Sequence, residues 1–346
     1  MDILPKMEHP PNYILVENVR GFEESDSRDL LVEALTKAGY EFQEMLITPL
    51  QIGIPNSRMR YYCLARHTAR VGGSFVQPVT GTLIGYIPAL DAEGMKEQKA
   101  FVDGRKQGDL SGLSTITAAK KQRTSLETST VTKEEGNVNG KSVKPDEESI
   151  LADPMLALKV DQLEKYIEFR DVKDDRMKMY RIPDKTLLKY GMAFDIVKET
   201  TRRSCCFTKG YYHYVQSTGS IFQMAHEKDT ATVFDEAEAL KAKPDSETIE
   251  EDNARALALL HSLELRYFTE YEVARLMGFP VKEGKFSFPQ STSLKQRYRV
   301  LGNSINVKVV ARLIRYLLTS KEAEERQQEQ KPKEEPKEKR EPQQDT

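Results

Sequence analysis

The sequence predicts an α/β fold, and three observations carry that expectation. Tyr13–Val19 is an apolar run with β-branched residues, the pattern of a buried parallel strand. Behind it, Leu30, Leu31, Ala34, Leu35 and Ala38 recur at helical spacing. Tyr40–Thr48 and Arg60–Arg66 then read as two further strands, which makes a β-α-β-β segment of a layered domain. With 346 residues, 38% of them hydrophobic, the chain can bury one large core or two modest ones.

Each element has a local reason. Ser25 to Ser27 offer N-caps for the first helix, and Gly39 suits its C′ position. Residues from about 95 to 150 change character: no aromatic lies between Gly112 and Ser149, while Lys, Glu, Thr, Ser and Asn abound. Such a stretch buries too little surface to offset its ordering entropy, so a disordered insertion is expected. Residues 151–230 read as ordered, mixed and loop-rich, and 240–255 as a polar linker leading into a helix. Thr269 and Glu272 have capping-box spacing, Gly278 suits C′, and Pro280 blocks continuation. The last helix, beginning near Ser304, should turn Val307, Val310, Ile314 and Leu317 inward and Lys308, Arg312 and Arg315 elsewhere. From Ser320 the Glu, Lys, Gln and Pro tail is expected to be solvated.

Composition excludes several classes. A net charge of −2 rules out a globally basic nucleic-acid binder, so any such role rests on a local patch. Cys63, Cys205 and Cys206 have neither disulfide nor zinc spacing, which points to a reducing compartment and no structural metal. No apolar run reaches the roughly 20 residues a membrane span needs. The first residues lack a basic region and an apolar core, so no signal peptide is read. Cytoplasm and nucleus are the expected locations.

Several stretches can carry chemistry. Glu17 and Asn18 end the first strand, at the edge where open α/β sheets bind ligands. A shielded carboxyl there would titrate high and donate a proton near neutral pH. The alternative is an acid that caps the next helix or faces solvent. Arg58 and Arg60 stand two apart before a strand, so both guanidiniums should point to one side and suit a carbonyl or phosphate. The alternative is an ordinary surface ion pair. Arg202, Arg203 and Lys209 interleave with Phe207, Tyr211, Tyr212 and Tyr214, a pattern that suits phosphates and unpaired bases. Equally, the aromatics are core and the cations rim. Lys295, Arg297 and Arg299 precede Gly302-Asn303-Ser304, which reads either as a tight turn bringing the Asn303 amide to a pocket or as an ordinary helix start.

Four blocks, in order, resemble the cytosine-5 methyltransferase family, and within it the eukaryotic tRNA aspartic acid methyltransferases. They are LVENVRGF, GIPNSRMRYYCLAR, RRSCCFTKGYYHYVQSTGS and the closing pair LRYFTEYEVARLMGFP with QRYRVLGNSINVKVVARLI. Cys206-Phe207-Thr208 marks the tRNA subfamily, and the likeness runs from Met1 to about Leu318 outside the insertion. The resemblance implies a reaction in which a cysteine thiolate adds to C6 of cytosine and an acid protonates N3. C5 then takes a methyl from S-adenosylmethionine. It implies Glu17, Arg58 and Arg60 as catalytic residues, with Glu17 on N3 and the amine and Arg60 on O2. Asn18, Arg202, Arg203, Cys206, Phe207, Thr208, Lys209, Lys295 and Arg297 are the implied substrate contacts, and Asn303 and Ser304 the cofactor contacts. The implied partner is tRNA, above all tRNA-Asp at cytosine 38, with DNA a weak second; neither membrane nor metal is implied.

On the same resemblance the fold is the C-terminal part of a Rossmann-like S-adenosylmethionine-dependent methyltransferase sheet with an inserted target-recognition domain. Residues 1–70 and 266–319 should form the core, 71–265 the recognition region, and 320–346 the tail. The family's glycine-rich cofactor loop and Pro-Pro-Cys nucleophile loop precede the strand that here begins at Tyr13. The lone Pro-Pro, Pro10-Pro11, is followed by Asn12. The expectation is an N-terminally truncated form whose first strand has an unpaired inner edge, and whose alternative role is tRNA binding or regulation without turnover.

Overall fold

The computed structural model describes residues 3–71, 74–76, 83–88, 159–168, 174–213, 217–241 and 249–319. Its elements are β1 (Tyr13–Val19), α1 (Asp26–Lys37), β2 (Tyr40–Ile47), β3 (Arg60–His67), α2 (Thr68–Val71) and α3 (Asp184–Tyr190). They continue with β4 (Ile196–Val197), β5 (Ile221–Gln223), α4 (Thr230–Lys241), α5 (Ile249–His261), β6 (Leu265–Tyr267), α6 (Glu270–Leu276), α7 (Leu294–Gly302) and α8 (Val307–Leu318). The insertion expected at 95–150 and the tail from Ser320 lie outside the described residues.

Helix α1 forms where the sequence places it. The Ser25 hydroxyl accepts the Arg28 N–H at 3.3 Å, and Gly39 takes φ +76° beyond the last turn. Leu31, Ala34 and Leu35 are buried, whereas Leu30 is exposed.

The first sheet has the order β1-β3-β2, and β3 is antiparallel to both neighbours. This corrects the expectation for β1. It is half-buried along its length, and among the described residues β3 is its one strand partner. The fully buried strand is β3, in the slot that the α1 crossover leaves open between β1 and β2. An apolar run marks a strand but not its direction or its place in the sheet. Strand β3 alternates cleanly. Tyr61, Cys63 and Ala65 face Leu31 and Leu35 of α1, while Tyr62 and Leu64 face Val309, Leu313, Tyr316 and Leu317 of α8. Cys63 is a core residue, as read from its strand.

Helix α8 is amphipathic but turned from the expected stripe. Asn306, not Ser304, caps it, accepting the Val309 N–H at 3.1 Å. Val309, Leu313, Tyr316 and Leu317 are buried, Val310 is partly buried, and Ile314 is exposed. Lys308, Arg312 and Arg315 face solvent.

A second core surrounds the sheet β4-β5-β6, in which β4 and β5 are parallel and β5 and β6 antiparallel. Phe207, Tyr211, Phe222, Tyr267, Phe268 and Tyr298 meet there, mostly edge to face. Helix α6 carries the expected capping box: Thr269 Oγ1 accepts from the Glu272 N–H at 3.1 Å, and the Glu272 carboxylate accepts from the Thr269 N–H at 2.9 Å. Helix α8 packs against the first sheet. Strand β6 pairs with β5, and α6 and α7 pack into the second core.

Candidate functional site

The tips of β1 and β3, the segment 204–209 and the α7–α8 turn meet at one place. Glu17 lies opposite Tyr62 and Arg60 opposite Val19, so Glu17 and Arg60 are diagonal neighbours across the ladder. Arg60 Nε is 3.4 Å from Glu17 Oε1, with 19% and 29% of the two side chains exposed. A carboxylate and a guanidinium thus stand side by side, reachable from solvent. Burial first, and the Glu17 charge next, push the Tyr62 phenol up to about 12. The Asn18 side chain turns back to accept the Val19 N–H at 2.8 Å.

Arg58 does not join Arg60. It lies before β3, only 4% exposed, and points into the protein. Its Nη1 donates to Cys206 Sγ at 3.2 Å and to the Phe207 carbonyl at 3.1 Å. Its Nη2 donates to the Gly302 carbonyl at 3.1 Å and to the Ser304 carbonyl. Strand alternation would have put both arginines on one side; residues 56–59 are not strand, so that rule does not reach Arg58. Desolvation pulls the guanidinium below its ordinary value, and the Cys206 sulfur opposes this.

In the recognition block the core reading holds for Phe207 and Tyr211, both buried. Arg202 donates to the Val160 carbonyl, and Arg203 pairs with Asp195 at 3.2 Å. Thr208 accepts the Gly210 N–H, while Lys209 is exposed. On α7, Lys295 is exposed and Arg297 pairs with Glu270 at 2.8 Å. Asn303 is the exposed C-cap of α7, and the Ser304 hydroxyl donates to the Ile305 carbonyl at 3.3 Å. Of the expected contacts, then, Glu17, Arg60, Cys206, Phe207 and the α7–α8 turn are drawn together around Arg58, while Arg202, Arg203 and Arg297 are engaged within the fold.

Sequence reasoning missed Asn56 and Ser204. Asn56 is buried and donates to Ser204 Oγ at 3.1 Å and to the Cys205 carbonyl at 3.0 Å; Ser204 Oγ donates to the Pro55 carbonyl at 2.7 Å. Partners separated by 148 or 149 residues leave no local signal. Among the described residues no group of His, Cys, Asp and Glu is arranged to hold a metal.

A nucleoside cofactor needs backbone that lets it approach closely. The turn after β1 has Gly21 at φ +98° with open space where a side chain would start. At Gly302 that space is already filled by the backbone of Thr208 and Lys209. Asn303 and Ser304 offer two polar tips and no cradle, so the described residues do not fit S-adenosylmethionine by themselves.

The family model of the C-5 cytosine-specific DNA methylases matches residues 3–319. The chain belongs to that family. The tRNA (cytosine(38)-C(5))-methyltransferase of Mus musculus is 35% identical over 317 residues, covering 92% of this chain and 69% of that protein. The Homo sapiens protein of the same description is 34% identical, with 92% and 73% covered. The crystal structure of a Spodoptera frugiperda DNMT2 mutant superposes with a TM-score of 0.58 at 29% identity, over 92% of this chain and 70% of that one. The mixed α/β fold of this chain is therefore that of a solved methyltransferase.

Proposed function

We propose that this methylase is a tRNA cytosine-5 methyltransferase acting on cytosine 38 of tRNA-Asp, with S-adenosylmethionine as methyl donor. The observation that carries the reading is the partly exposed Glu17–Arg60 pair. Cytosine presents an amine donor, the N3 acceptor and the O2 acceptor along one edge. A protonated carboxyl donates to N3 and accepts from the amine; a guanidinium donates to O2. Uracil reverses the first two positions, so the same carboxyl orientation meets donor with donor and acceptor with acceptor, while O2 still accepts from the guanidinium. The base must first leave its stack. Once it is bound, a proton passed through Glu17 to N3 would open the ring to a nucleophile at C6.

A second reading, recognition of tRNA without turnover, is supported by the cysteines. Burial pushes the Cys63 and Cys205 thiols up to about 12, and the Cys206 sulfur accepts an Arg58 N–H. None of the three stands as a free attacker beside Glu17.

The test incubates the protein with labelled S-adenosylmethionine and unmodified tRNA-Asp, with binding measured in parallel. Label at cytosine 38, reduced about 100-fold or more in Glu17→Gln, supports methylation. Binding that prefers cytosine over uridine at that position, without label transfer, supports the second reading. Neither label nor preference overturns both.

A further inference from the structure

We infer that Arg58 is the positioning residue of the base pocket: it locks the approach to Arg60 onto the recognition segment and the α7–α8 turn, and does not grip the base. The inference rests on the base-binding reading of Glu17 and Arg60.

Proton counting carries it. Each terminal nitrogen of a guanidinium has two N–H groups. Those of Nη1 have Cys206 Sγ and the Phe207 carbonyl as acceptors; those of Nη2 have the carbonyls of Gly302 and Ser304. No terminal proton remains for a base or phosphate. The Nε–H is buried and has no acceptor among the described residues. Among the described residues no carboxylate contacts the guanidinium, so this charge is held by carbonyls and a sulfur, which makes release from them costly.

The junction is also sterically closed. A Cβ on Gly302 would lie 2.1 Å from the Lys209 nitrogen and 2.2 Å from the Thr208 carbonyl carbon. Segments far apart in sequence thus touch backbone to backbone beside Arg58, whose side chain bonds to both. On the other flank, the Arg58 N–H donates to Thr48 Oγ1 at 3.2 Å, next to the end of β2. Arg60 is two residues further on, at most about 7 Å of extended chain. Its reach to Glu17 is therefore set by where Arg58 is anchored. Lysine cannot replace this fork, since its donors radiate from one nitrogen.

The test compares the full chain with Arg58→Lys, binding tRNA-Asp and the same tRNA carrying uridine at position 38. In Arg58→Lys the preference for cytosine should fall about tenfold, the discrimination of one well-placed base contact. The salt dependence of binding should stay unchanged, because no phosphate contact is lost. Amide exchange on the wild-type protein gives a second readout. Residues 302–306 should gain protection with the cytosine tRNA and not with the uridine tRNA. Should Arg58→Lys fail to fold, equal protection with both tRNAs overturns the inference. A wild-type preference that survives in Arg58→Lys overturns it while leaving the base-binding reading intact. A wild type with no preference overturns both.

Discussion

Arg58 and Arg60 have the same side chain and opposite surroundings. Arg60 sits at a strand tip beside a carboxylate, and Arg58 is enclosed by carbonyls. The R-x-R spacing is legible in the sequence; the division of labour is not, because three of Arg58's four acceptors are backbone oxygens that no residue type announces. The cysteines divide similarly. Cys63 was legible as core from its strand, and its thiol and that of Cys205 are pushed up to about 12 mainly by burial. A raised thiol titration lowers the thiolate fraction at a given pH, and the thiolate is the form that alkylates. Iodoacetamide at pH 8 should therefore leave Cys63 and Cys205 unmodified in the native protein and label them after urea unfolding, as read by peptide mass spectrometry. Rapid native labelling of Cys63 would mean that β3 is not enclosed.

At the scale of the element, caps and periodicity were readable because they act over three or four residues. Ser25, Thr269, Glu272, Gly39 and Gly278 stand where local rules put them. Glu272 does more than close a capping box. Its carboxylate also accepts from Arg266 at 2.8 and 2.9 Å and from the Glu168 N–H at 2.8 Å, and both charged side chains are essentially buried. It thereby ties α6 to β6 and to residue 168. Removing one partner of a buried ion pair strands the other charge, so Glu272→Ala should cost about 3–5 kcal/mol in urea denaturation. A loss below about 1 kcal/mol, the scale of an exposed pair, would show that water reaches Arg266. Helix α8 marks where element-level reading stops. Its amphipathicity was plain, but two faces shared apolar residues, and the packing of Tyr316 and Leu313 against β3 chose between them.

Across the whole molecule, charge is unevenly placed. The chain's net charge is −2, yet Leu294–Leu318 holds six cations and no carboxylate. Arg297 pairs with Glu270, whereas Lys295, Arg299, Lys308, Arg312 and Arg315 are exposed. Helices α7 and α8 flank the turn whose carbonyls Arg58 holds, so this surface adjoins the proposed base pocket. An RNA presenting a base to Glu17 would lay its backbone across such a surface. The double variant Arg312→Gln/Arg315→Gln should weaken tRNA binding and lower the slope of log affinity against log salt by about 1–2, the effect of one or two lost phosphate contacts. Its melting temperature should hold, because both side chains face solvent. An unchanged slope would move the RNA path elsewhere.

The sequence by itself determined the α/β class, helices α1 and α6 with their caps, the strand at Tyr13 and the family blocks, since each is written in neighbouring residues. The tertiary structure alone decided that β3 enters antiparallel between β1 and β2, that α8 turns Val309 rather than Ile314 inward, and that Arg58 bonds to carbonyls 149 to 246 residues away. Strand direction, helix rotation and buried hydrogen bonds are settled by which distant surfaces meet, and no short-range pattern encodes that meeting.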